Sequence, residues 1–163
     1  MSKGDARKLG LGIAILVTAG GVWLLTAGGK DKSVRTAYFY DLSEKKLYEA
    51  PGDAFAPIKG IGGESGDGVE AVVVYCPKCG LEKKRIAYLK THTPEYKRKK
   101  EEARAAGRTI EGLTRSWVAE NTLISLVDPI EWHKATSEEG ARIARDGRQR
   151  CPEHGEWERP YRP

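Results

Sequence analysis

Two five-residue segments at distant points of this chain share one frame. Cys76-Pro77-Lys78-Cys79-Gly80 and Cys151-Pro152-Glu153-His154-Gly155 both read C-P-x-(C or H)-G. Each position in the frame has a physical task. A two-residue spacer lets both ligand side chains reach one metal ion from a single tight turn. Proline stiffens that turn, and glycine accepts a backbone conformation that aims amides at a thiolate sulfur. Together the two turns supply three thiolates and one imidazole, a complete tetrahedral set for Zn²⁺. Between Cys79 and Cys151 lie 71 residues, more than a compact zinc ribbon has. An α+β segment is therefore expected to be inserted between the turns.

Other uses of these residues stay open at this level. Cys76 and Cys79 could form a disulfide or a C-x-x-C redox pair, which leaves Cys151 odd and the copied frame around it unexplained. An iron–sulfur centre with one histidine ligand uses the same residue types. Four protein ligands leave no position for water or substrate, so a zinc ion here is expected to be structural. A catalytic zinc would require His154 to be a bystander.

The second constraint lies near the N-terminus. From Leu9 to Gly29 run 21 residues without a charge, flanked by Arg7-Lys8 and by Lys30-Asp31-Lys32. As a helix at ~1.5 Å per residue the run is about 30 Å long, the thickness of a bilayer's hydrocarbon core. The expected organisation is a tail over 1–8, a transmembrane helix over 9–29 and a soluble domain over 30–163. A cleaved signal peptide is the competing reading, since Thr26-Ala27-Gly28 offers small residues at a possible cleavage point. Lys3, Arg7 and Lys8 before the run balance Lys30, Lys32 and Arg35 after it, so the positive-inside rule is undecided. The short tail and its free amine lean toward an extracytoplasmic domain. Removing Lys3, Arg7, Lys8 and Asp5 from the whole-chain charge of +5 leaves 25 basic and 22 acidic residues, a balance of +3. A mixed surface of that kind does not call for a nucleic-acid partner.

The soluble part reads as α+β, a small β-rich zinc-ribbon-like domain with two helices. Val34 to Tyr40 and Lys46 to Ala50 predict a hairpin, with Val34, Thr36, Tyr38 and Tyr40 on one face. Pro51 to Gly68 holds six glycines and two prolines and is expected to be a mobile loop. Val69 to Tyr75 predicts a strand buried on both faces, and about Lys84 to Leu89 a second strand. Thr93-Pro94-Glu95 opens a charged helix that Gly107 ends. Trp117 to Glu120 and Thr122 to Val127 read as strands, and Thr136-Ser137-Glu138-Glu139 as a capping box before a helix that stops near Gly147. Trp117, Trp132, Tyr38, Tyr40, Tyr75 and Val73 are the expected core.

No other motif carries a reaction. Gly63-Glu64-Ser65-Gly66-Asp67 departs from a nucleophile elbow at Asp67, so Ser65 reads as a loop serine. No P-loop, dinucleotide fingerprint or H-E-x-x-H is present. His92 and His133 lack neighbours at ligand spacing and read as surface or capping residues. Lys97-Arg98-Lys99-Lys100 is a basic cluster, and the four-residue pairs Glu95–Lys99, Lys97–Glu101 and Arg98–Glu102 explain it as a solvated helix face.

The order of elements resembles a group of small bacterial membrane-anchored proteins. The resemblance rests on Tyr38-Phe39-Tyr40-Asp41-Leu42 with Lys46-Leu47-Tyr48, similar to a Y-Y-D-L-x-T-G-x-L hairpin. It rests also on Trp132 to Gly140, similar to W-x-x-A-x-S-x-E-G. Here Glu44-Lys45-Lys46 stands at the Thr-Gly turn. The resemblance covers most of the chain and implies an anchor and no assigned activity. The function expected from all of this is a membrane-anchored, non-enzymatic zinc-binding domain, tethered through 9–29 and serving a protein partner. Its alternatives are a zinc-ribbon nucleic-acid binder and a C-x-x-C thiol redox or metal-sensing protein.

Overall fold

The computed structural model describes residues 35–107 and 114–163. The segment 9–29 lies outside the described residues, and no helix among those described is long and apolar enough to cross a membrane. β1 (Thr36–Asp41) and β2 (Lys46–Pro51) form the expected antiparallel hairpin, in register from Thr36↔Pro51 to Asp41↔Lys46. The turn between them puts Lys45 at a left-handed φ of 53°, and the Asp41 carboxylate accepts the Glu44 amide at 2.7 Å. β1 is not one-faced as its alternation predicted. Phe39 and Asp41 are buried along with Tyr38 and Tyr40.

Pro51–Gly68 is not a free loop. It contains β3 (Ile58–Lys59) and the start of β4 (Ser65–Tyr75). Three side chains tie it down. Asp41 accepts the Ile61 amide, the Tyr48 hydroxyl donates to Lys59 O at 2.9 Å, and Lys97 Nζ donates to Pro57 O at 2.7 Å. The many glycines concealed these anchors, because each anchoring side chain lies outside the segment.

β4 is the spine of an eight-stranded antiparallel sheet with β5 (Arg85–His92), β6 (Thr122–Ser125), β7 (His133–Lys134) and β8 (Arg159–Tyr161). The main path runs β2-β1-β4-β5-β6-β7. Glu70 pairs with both Phe39 and Lys90, while Val73 pairs with both Ile86 and Tyr161. A strand has only two edges, so β1 and β8 lie end to end along one edge of β4, opposite β5. The one charged residue of the Val69–Tyr75 run, Glu70, meets Lys90 at 2.7 Å across that ladder. Tyr38, Tyr40, Val69, Ala71, Val73 and Leu89 form the core, with Trp132 and Tyr161 packed against it.

Three α-helices, not two, are present among the described residues: α1 (Pro94–Ala105), α2 (Arg115–Glu120) and α3 (Glu138–Asp146). α2 replaces the strand expected at Trp117–Glu120. The Thr114 hydroxyl accepts the Trp117 amide, and Asn121 closes the far end, so caps override the β-propensity of Trp117 and Val118. Trp117 consequently leaves the main core and stacks on Tyr96 at 5.6 Å. α3 is capped by Ser137, with Gly140 rather than a glutamate at the third position, so the capping box is an N-cap alone. Thr93 caps α1 as expected, accepting the Tyr96 amide.

Candidate metal centre

Sheet register decides where the two C-P-x-x-G turns meet. Cys76 directly follows β4, whose last residue, Tyr75, is paired with Arg159 at the start of β8. The second turn is the tip of a small hairpin leading into β8. That hairpin is closed by the Arg150↔Trp157 bridge and by Cys151 N–H donating to Glu156 O at 2.8 Å. Pairing β8 with β4 therefore lays both turns at the same end of the same strand pair.

The turns are built alike. Gly80 N–H donates to Cys76 O at 3.0 Å, and Gly155 N–H donates to Cys151 O at 2.7 Å. Their φ values are +81° and +66°, in the region that costs a side-chain-bearing residue ~1–2 kcal/mol. The shared glycine of the frame is thus required by the backbone at both places.

Cys76, Cys79, Cys151 and His154 place one ligand atom each within 4.8 Å of all the others. His154 Nδ1 is 3.4 Å from Cys79 Sγ, 3.7 Å from Cys151 Sγ and 3.9 Å from Cys76 Sγ, and the sulfurs of Cys79 and Cys151 are 3.6 Å apart. A tetrahedron with metal–sulfur bonds of about 2.3 Å and a metal–nitrogen bond of about 2.0 Å has edges of roughly 3.5–3.8 Å. The donor set fits a tetrahedral ion and is compatible with zinc. A disulfide would need the sulfurs at about 2.05 Å, and all three cysteines are free. Cys76 and Cys151 are buried, Cys79 is half-buried and His154 is exposed.

Electrostatics point the same way. Burial pushes the Cys79 thiol up to about 12, reinforced by the neighbouring sulfurs of Cys151 and Cys76. Burial also raises Cys76, but the backbone amides of Cys79 and Lys78 outweigh it and bring that thiol below its ordinary value. Three sulfurs this close cannot all ionise unaided, and a bound cation would supply the compensating charge. Around them, Lys78 pairs with Glu156 at 3.0 Å and Lys83 with Glu153 at 2.6 Å, each joining one turn to the other. These pairs are exposed and screened by solvent, so they add little to holding the turns together. Deeper in, the Arg85 guanidinium grips the Glu158 carboxylate and donates to Gly147 O at 3.0 Å, fastening the second hairpin to β5.

The remaining candidates lie elsewhere. His92 ends β5 half-buried, stacked on Tyr96 at 4.1 Å, and burial followed by the Lys90 charge lowers its pKa. It is a packing residue and not a surface one. His133 is half-buried in β7, paired with Ile124. Ser65 is the exposed first residue of β4. In the basic cluster, Glu95–Lys99 and Arg98–Glu102 pair as expected, while Lys97 turns to Pro57 O instead of Glu101. Lys99 and Lys100 also sit over the rings of Trp117 and Phe55. Compared with protein-family models, with curated proteins and with solved structures, the chain matches none.

Proposed function

We propose that this chain is a membrane-anchored, non-enzymatic zinc-binding domain that serves as a protein-interaction module or accessory subunit of a membrane complex. The observation that carries the reading is the clustering of Cys76, Cys79, Cys151 and His154, with ligand atoms all within 4.8 Å of one another and four of the distances at 3.4–3.9 Å, compatible with tetrahedral coordination. Four protein donors complete that geometry, which supports a structural ion. Residues 9–29 are the single membrane span of this proposal, with the domain on the extracytoplasmic side.

Two alternatives draw less support. A nucleic-acid surface on α1 would need free cations, yet four of that cluster's side chains are engaged in ion pairs, a carbonyl contact or aromatic faces. A Cys76–Cys79 redox pair leaves unexplained why Cys79 has Cys151 and His154 as close neighbours.

Metal analysis of the full chain, purified in detergent, tests the site. One zinc per chain and three free thiols are expected. Zinc near zero with Cys76 and Cys79 oxidised to a disulfide overturns the reading. Carbonate extraction tests the anchor: the protein is expected to stay with the membrane, and a mature N-terminus near Gly28 or Gly29 would exclude a retained span. Protease added to spheroplasts should digest the domain, and full protection would place it in the cytoplasm.

A further inference from the structure

The second hairpin carries an exposed aromatic among arginines. Trp157 is 58% exposed, the most exposed large apolar side chain in the described residues. It lies in the strand that closes the hairpin, directly opposite Arg150, whose guanidinium sits 5.1 Å from the ring centroid. Between Trp157 and the C-terminal end of α3 runs an open groove of about 510 Å³, lined also by Ala144, Arg145, Arg148 and Glu158. Its charge is one-sided. Glu158 is already held by Arg85. Arg148 has no ion-pair partner among the described residues, and Arg145 meets only its neighbour Asp146, at 3.4 Å with both side chains exposed.

We infer that this groove docks a short acidic peptide segment of a partner protein, with an apolar side chain on Trp157 and carboxylates on Arg145 and Arg148. The inference deepens the protein-interaction reading above and rests on it. Guanidinium forks match carboxylates in a bidentate way, and an exposed tryptophan beside arginine is the composition of an interface anchor. A nucleic-acid strand fits less well. One stacking ring serves one base, whereas strand binders line up several along a basic track. The hairpin that presents Trp157 is the one whose tip supplies Cys151 and His154. Metal binding and docking are therefore coupled through one small element.

The test uses the full chain in phosphatidylcholine nanodiscs, with its zinc content measured on the same sample. Fluorescence anisotropy follows a labelled peptide of alternating glutamate and leucine, its glutamine–leucine counterpart, and a labelled oligothymidylate. The glutamate peptide is expected to bind at least tenfold more tightly than the glutamine peptide. Arg148→Glu, which removes no intramolecular pair, should weaken it tenfold or more, and Trp157→Ala likewise, with zinc still bound. Stripping the metal should abolish binding. Preference for the oligothymidylate, equal binding of the two peptides, a second copy of the chain occupying the groove, or no binding by the zinc-loaded protein overturns the inference. Absence of zinc with retained peptide binding instead sinks the zinc reading and the coupling of metal to docking, and leaves the groove.

Discussion

Cys151 and His154 sit on a hairpin tip whose geometry repeats that of Cys76 and Cys79, so the four side chains should behave as one unit. Replacing Cys151 with Ser is expected to release the metal and loosen both turns, whereas His154→Cys should retain it, because a four-cysteine site is also tetrahedral. Metal content of the purified variants decides this, with His92→Ala and His133→Ala as controls that keep the ion. Asp41 offers a second residue-scale test. It is buried on β1, and the Glu44 amide, followed by that of Ile61 against the opposing effect of burial, holds its carboxyl below the usual value near 3.8. A carboxyl depressed in the folded state stabilises above its unfolded pKa, and that contribution is lost as pH falls through the folded value. Asp41→Asn, which turns an amide donor toward backbone donors, should therefore lower Tm by several degrees at pH 7 and by progressively less below pH 4. Parallel melting curves across that range would remove Asp41 as the anchor of the 51–68 segment. The Y-Y-D-L stretch was legible as a hairpin. The aspartate's hold on residue 61 was not, since nothing local links positions 20 apart.

Two elements determine how the site is assembled. β8 has three residues, yet its pairing with the end of β4 carries the second turn to the first. Tyr161 secures it, packing against Tyr38 at 6.0 Å and Tyr75 at 5.8 Å between ring centroids. Tyr161→Ala should cost ~1–3 kcal/mol, less than a fully buried aromatic because the ring is only partly covered. It should also weaken zinc retention against a competing chelator about tenfold or more. Unchanged retention would mean that the two turns find each other without β8. At the β1–β2 turn, Lys45 holds a left-handed φ of 53°, a conformation that glycine adopts freely. Lys45→Gly is expected to raise stability by ~0.5–1 kcal/mol in denaturant unfolding, and a loss would mean that the lysine side chain itself matters there. At this scale the sequence was read well where the local signal was strong, in the apolar run of β4, in β5 and at the Thr93-Pro94 cap of α1. It misled at α2, where two caps outweigh the preference of Trp117 and Val118 for strand, and it gave no sign of β8, which is too short to show any period.

For the whole molecule, the metal is expected to carry much of the stability. Zinc contributes on the order of 10 kcal/mol to folding in small ribbons, comparable to the net stability of a domain. Chelation should therefore lower Tm sharply and expose both turns to proteolysis, while the β1–β2 hairpin, with its own register and aromatic pair of Phe39 and Tyr48, retains the most protection in hydrogen exchange. Uniform loss of protection would make the fold a single cooperative unit hung on the ion. The candidate ligand set was legible in the sequence alone, because ligand chemistry and the C-P-x-x-G backbone are local and the frame occurs twice. The uncharged run over 9–29 was equally legible, since length and apolarity need no partner. Only the tertiary structure decided that β8 pairs with the end of β4 to bring the two turns together, that Asp41 and Lys97 tie down a glycine-rich segment, and that Trp157 stands exposed among arginines. Those facts depend on which strands share an edge of β4, and edge pairing is settled by competition among distant segments that no local pattern records.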